Sequence, residues 1–160
     1  MGPRGQDGGI GTIADGTITQ AMMAGYDGTP DTDHTSNGPT TSTFAAGESV
    51  TVMDLCYFKS DGKWWKADAD AAATAGGVLL AISLESKNDG EAMKVALPNS
   101  FVRDDSWNWT VGAPLYASLT AGAITATAPS ATDDVVRVVG FAVSADAIWF
   151  QPSVDYATVA

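Results

Sequence analysis

The chain has 160 residues and a mass of 16.4 kDa, the size of one domain with an extension. Its 19 acidic against 8 basic side chains give a net charge of −11, which phosphate backbones and anionic leaflets would repel, so neither nucleic-acid binding nor membrane insertion is expected. Cys56 is the only cysteine and His34 the only histidine; an internal disulfide and a Cys-based zinc centre are excluded, and any Ser/His/Asp or Cys/His catalytic unit would have to use that one imidazole.

The first residues contain no apolar core of a signal peptide. The longest apolar stretch, Gly76 to Ile82, falls far short of the roughly 20 residues that span a bilayer, so a soluble protein is expected. Glycine occupies every third position in Gly2-Pro3-Arg4, Gly5-Gln6-Asp7, Gly8-Gly9-Ile10 and Gly11-Thr12-Ile13, the period a collagen triple helix requires because only glycine fits its axis. The phase is lost at Ala14-Asp15-Gly16. The segment reads either as a flexible arm or as the end of a collagen-like stem, and the second reading predicts a trimer. Ile18 and Met22 are four apart, which suits one helical turn capped by Thr17 or an extended segment equally. Tyr26 to Thr43 is rich in Gly, Pro, Asp, Ser and Thr and has no hydrophobic period. Residues 1–43 are therefore expected to be an arm and linker.

From Phe44 onward, short apolar runs alternate with turn signals, the pattern of an all-β domain over residues 44–160. Val50 to Phe58 reads as a strand ending at Ser60-Asp61-Gly62-Lys63, where Asp-Gly signals a type I′ hairpin turn, and Trp64 to Ala67 returns. Ala69 to Ala75 has helical propensity, but Gly76-Gly77 makes a loop an equal reading. Gly77 to Leu84 is continuously apolar, so that strand should be buried on both faces or lie at a subunit contact. Further strands are expected over Ala92 to Leu97, Ser100 to Arg103, Pro114 to Ala117, Ala123 to Thr127, Val135 to Val143 and Ala147 to Gln151. Their spacing predicts a compact β-barrel or sandwich with an extended N-terminal arm.

The segments DLCYFKSDGKWWKADADA, GGVLLAISL and VGAPLYASLTAGAITATAPSATDDVVRVVGFAVSADAIWFQPSVDY resemble the small β-rich domain at the ends of tailed-bacteriophage fibres and in related capsid-decorating proteins. In that group a G-x-x-LY strand, a G-x-x-T hairpin, a VVRVVG strand and a closing I-W/Y-F-x-P strand follow one another. They match Gly112 to Tyr116, Gly122 to Thr125, Val135 to Gly140 and Ile148 to Pro152. The resemblance covers roughly Phe44 to Tyr156; the earlier GTIADGTITQAMMA is similar to a fibre linker repeat. It implies a structural virion protein, assembled in the host cytoplasm, whose partners are copies of itself and other virion proteins such as the major capsid protein or fibre and tail components. The stem is shorter than a long fibre's, so the resemblance implies either the tip of a larger protein or a short head protein.

Candidate sites follow from residue chemistry. Asp27, Asp31, Asp33 and His34 are the densest set of metal-ligand types, but the spacing of an EF-hand is absent and a solvated loop is the expected reading. Asp68, Asp70, Asp104 and Asp105 could be imagined as a glycosidase pair, yet acidic turn residues explain them equally, and no catalytic role is expected. Trp107 and Trp109 share a face if extended; buried they are core or interface, and exposed they would form, with Asp104 and Asp105, a platform for a host surface glycan. Cys56 reads as a small buried hydrophobe. The glycines lack the context of a nucleotide site, and no cofactor is expected. Burial of apolar strand faces in a homotrimer points to Val78, Leu80, Ile82, Val136 and Val138 as interface residues.

Overall fold

The computed structural model describes residues 28–160; the collagen-like triplets, the Ile18 and Met22 segment and Asp27 lie outside the described residues. Thirteen short strands and one helical turn make up the described residues: β1 (Thr35–Asn37), β2 (Thr40–Thr41), β3 (Leu55–Phe58), β4 (Trp64–Lys66), α1 (Ala72–Ala75), β5 (Leu80–Ser83), β6 (Val95–Ala96), β7 (Ser100–Arg103), β8 (Pro114–Ala117), β9 (Ile124–Thr125), β10 (Val135–Val136), β11 (Val138–Ala142), β12 (Ala147–Phe150) and β13 (Ala157–Thr158). They form three antiparallel sheets: six strands in the order β1-β7-β12-β11-β8-β9, five in the order β2-β6-β5-β3-β4, and the pair β10-β13. None closes into a barrel. The all-β expectation is met and the barrel alternative is not, because β1 and β9 end the larger sheet as edges instead of pairing with one another.

Side-chain alternation places the core. Along β3, Leu55 and Tyr57 enter the main cluster while Cys56 points the other way; along β5, Leu80 and Ile82 do the same against Ala81. The main cluster is shared with Val102 of β7, Leu115 of β8, Val139 of β11, and Ile148 and Phe150 of β12, so the two large sheets bury their facing sides against each other. The second cluster, Ala46, Val50, Cys56, Trp64, Ala81, Met93 and Val95, lies behind the five-stranded sheet. The chain at 45–50 covers it through bridges Ala45 to Ala92, Ala46 to Trp64 and Val50 to Lys87. This double cover explains the unbroken apolar run before Leu84. All four residues of β5 are buried, and Ser83, its one polar member, donates to the Thr51 carbonyl and accepts from the Asp54 N–H.

Local chemistry moves several element boundaries. The strand expected from Val50 begins only at Leu55, because Met53 takes a left-handed backbone, φ 70°. The β3–β4 hairpin forms where Asp61-Gly62 predicts it, but only Gly62, φ 79°, is left-handed, whereas a type I′ turn needs two such residues. The Gly62 N–H donates to the Lys59 carbonyl and the Lys59 N–H to the Lys63 carbonyl, a three-residue loop with a bulge. The stretch expected as a linker to Thr43 supplies two edge strands: β1 pairs with β7 and β2 with β6. Gly38 turns the chain from one sheet to the other at φ 140°, where a Cβ would sit 2.6 Å from Ser100 Oγ.

Burial makes Cys56 chemically quiet. It is 0% exposed, and removal from water pushes its thiol well above the ordinary range, with Asp54 and Glu48 adding to the effect. A disulfide reagent is expected to leave Cys56 unmodified in the native chain and to label it at the rate of global opening, read by labelling kinetics across a urea series. Rapid labelling in the absence of denaturant would contradict this placement.

Candidate functional site

The outward side of the six-stranded sheet carries an aromatic row that sequence reading did not single out. Strand pairing puts Asn37 beside Phe101, Phe101 beside Trp149, Trp149 beside Phe141, and Phe141 beside Pro114. Residues paired across strands share a face, so the five form one line over β1, β7, β12, β11 and β8. The rings of Phe101 and Trp149 stack with centroids 6.4 Å apart. Phe141 is 41% and Trp149 39% exposed, on the two strands at the centre of the sheet. One further step along the sheet, Val138 pairs with Tyr116 and Tyr116 with Thr125, which extends the apolar surface toward β9. Alternation is the only sequence signal that could have found it, and it reaches only part of the row. Ile148 and Phe150 face inward with Trp149 between them facing out, and Ala142 faces inward with Phe141 before it facing out. Val139 also faces inward, because the register shift between Val138 and Gly140 breaks the period in β11.

The residues expected at a subunit contact do not share one surface. Leu80 and Ile82 are 1% and 0% exposed inside the single chain; the sheet pair uses them as core, and no second copy can reach them. Val78 is half-buried and packs on the main core. Val136 is half-buried in the β10–β13 pair. Val138 alone lies on the aromatic face.

Trp107 and Trp109 stand 5.8 Å apart with ring planes tilted by 51°. Both are half-buried and pack against the main cluster, and Trp109 Nε1 is buried without a hydrogen-bond acceptor among the described residues. They pack on the main core and are tilted to one another instead of forming a flat exposed shelf. Asp104 and Asp105 follow β7 directly. Asp104 is buried, 7% exposed, and its Oδ1 accepts the Ser106 N–H at 2.8 Å. Asp105 accepts from Arg103 Nε at 2.6 Å, while Arg103 Nη2 meets Asp146 at 2.7 Å. The hydrogen bond to Asp105 raises the Arg103 guanidinium above its ordinary range, and the Ser144 hydroxyl holds Asp146 below its own. Asp68 accepts the Asp70 N–H at 3.1 Å and the Thr74 hydroxyl donates to the Asp68 carbonyl at 2.5 Å, so both acids serve the turn that leads into α1. Burial of Asp68 lifts its carboxyl above the usual range.

No family model, curated protein or solved structure matches the chain.

The four segments that carry the fibre-domain resemblance are nevertheless grouped in space. They hold β8, β9, β11 and β12, which are consecutive neighbours in the six-stranded sheet, together with β10. Gly112 and Gly122, φ 84° and 82°, sit in the tight turns that precede β8 and β9, where the positive φ favours glycine. The described residues include no helix long and apolar enough to cross a membrane.

A second apolar surface lies on the outer side of the five-stranded sheet. Thr41, Phe44, Phe58, Trp64, Leu79 and Leu97 line a groove of about 270 Å³. Phe44, Phe58 and Trp64 run edge-to-face through it, with centroids 4.7 and 4.8 Å apart.

Proposed function

We propose that the chain is a structural component of a tailed-bacteriophage particle, a trimeric fibre-end or capsid-decorating domain that assembles through the aromatic face of its six-stranded sheet. The observation that carries this reading is the line Phe101, Trp149, Phe141 and Pro114 across four adjacent strands, with its two central rings about two-fifths exposed. Aromatic side chains left on a sheet face are the anchors from which interfaces are made. The grouping of the resemblance-bearing segments in that same sheet supports the phage assignment. The mechanism is the removal of apolar area from water between copies, at roughly 25 cal/mol per Å² before the cost of association. Other virion proteins, the major capsid protein among them, then meet the assembled trimer, which matures with the particle in the host cytoplasm.

Light scattering on the whole chain tests this reading. A trimer is expected at micromolar concentration, and Trp149→Glu or Phe141→Glu is expected to weaken association by about 30-fold or more, as loss of about 2 kcal/mol from an interface anchor would. Unchanged far-ultraviolet circular dichroism would show that the variants still fold. A wild-type monomer, or a trimer indifferent to both substitutions, would remove the face from the argument.

A further inference from the structure

The described residues bring together three metal-ligating side chains, two adjacent in sequence and one far along the chain. Thr35 of β1 pairs with Arg103 of β7, so the residues just before Thr35 lie beside those just after Arg103. Asp33, His34 and Asp104 therefore converge, and one donor atom from each lies within 4.8 Å of the others. His34 Nε2 is 3.5 Å from Asp33 Oδ2 and 3.8 Å from Asp104 Oδ1. Two donors bound at about 2.1 Å on a tetrahedral zinc ion stand about 3.4 Å apart, so both separations are within a small side-chain adjustment of a coordination edge.

The electrostatics give a separate reason for a cation. The Asp104 carboxylate is nine-tenths buried, with its side chain 9% exposed, and a buried carboxylate needs a compensating charge. The neighbouring guanidinium of Arg103 is committed to Asp105 and Asp146. Asp104 Oδ1 accepts the Ser106 N–H, and among the described residues the only side chain of potentially opposite charge within 4 Å of the carboxylate is His34. Asp33 is fixed in the same arrangement, because its Oδ1 accepts the Asp105 N–H at 2.8 Å and leaves Oδ2 toward the imidazole.

We propose that Asp33, His34 and Asp104 bind a first-row divalent cation of the zinc type, with solvent completing the coordination. One imidazole and two carboxylates suit zinc or cobalt; calcium takes six to eight oxygen ligands and has no use for the imidazole. The bound ion would tie the chain entering β1 to the end of β7 and neutralise Asp104. It belongs to the edge of the six-stranded sheet and is independent of the assembly face proposed above.

The test uses the tag-free whole chain freed of metal with a chelator, then titrated with Zn²⁺ by calorimetry and with Co²⁺ by visible absorption. Expected are one tight equivalent per chain, the d–d bands of tetrahedral Co²⁺, and a melting temperature raised by several degrees with Zn²⁺ in hundredfold excess over Kd. His34→Asn keeps a residue that accepts the left-handed backbone at φ 56°, and Asp33→Asn and Asp104→Asn keep an acceptor for the Asp105 and Ser106 N–H groups. Each is expected to weaken Zn²⁺ binding by about 100-fold or more, beyond the loss caused by removing a mere outer partner. Asp155→Asn, at an exposed position far along the chain, is expected to leave it unchanged. Absence of a tight equivalent in the wild type, or binding that survives His34→Asn at full strength, would overturn the site, and in the second case the ion is adventitious on the acidic surface.

Discussion

Replacing Arg137 with methionine is expected to lower the unfolding free energy by about 3–5 kcal/mol and the melting temperature by about 10 °C or more. Arg137 is 6% exposed, and burial pulls its guanidinium below its ordinary range, although an arginine stays charged in a folded protein. Among the described residues no carboxylate pairs with it. Backbone carbonyls take that place: Nη1 donates to Ala75, to Gly76 and, at 2.8 Å, to Val78, while Nε donates to Ser153 at 2.9 Å. One side chain thus joins the end of α1, the approach to β5 and the segment after β12. Methionine fills much of the volume but leaves those carbonyls without donors in the interior, and each is costly there. Lysine is expected to recover less than half of the loss, because a single ammonium cannot reproduce the planar fork. Urea unfolding of both variants measures the effect; a loss below about 1 kcal/mol for Arg137→Met would show that water replaces the guanidinium.

Gly140→Ala is expected to be nearly as damaging, at about 3 kcal/mol, for a steric reason. Gly140 lies opposite Phe150 in the β11–β12 ladder, and its missing side chain would point at the main-chain carbonyl of Trp149. Backbone cannot yield as a side-chain end can, so the methyl group forces the two central strands apart. The register shift between Val138 and Gly140 against β8 already bends β11 at this place. Gly112→Ala supplies the comparison. Open space surrounds that glycine but its φ is +84°, so the cost should be the left-handed strain alone, about 1 kcal/mol. Urea midpoints of the two variants separate the mechanisms. Equal losses would mean that backbone conformation, and not the close approach of β12, sets the requirement at Gly140.

The two substitutions also mark where sequence reading stopped short. Val135 to Val143 reads as one strand on hydrophobicity alone, yet the structure breaks it at Arg137, which turns inward to its carbonyls and separates β10 from β11. Nothing in a run of valines reveals that an arginine in its midst has four backbone acceptors, because the acceptors come from two distant segments. Ala157–Thr158 was not expected as a strand for a similar reason: with no apolar pattern of its own, β13 is defined by pairing with β10. The same holds for β1 and β2, which composition assigned to a linker.

Composition, charge and the alternation of short apolar runs with turn signals determined the all-β class, most strand positions, the β3–β4 hairpin and that the Leu80 strand would be covered, by the chain itself or by a second copy. Each depends on chain neighbours within a few residues, where side-chain period and backbone conformation act directly. Tertiary structure decided the rest. It chose two packed sheets over a barrel, moved Leu80 and Ile82 from a possible subunit contact into the core, and spent Trp107 and Trp109 on covering that core. It aligned Phe101, Trp149 and Phe141 into one surface and set His34 beside Asp104, some 70 positions away, through the pairing of Thr35 with Arg103. Those outcomes rest on strand register between distant segments, and register is fixed only when whole faces compete for burial.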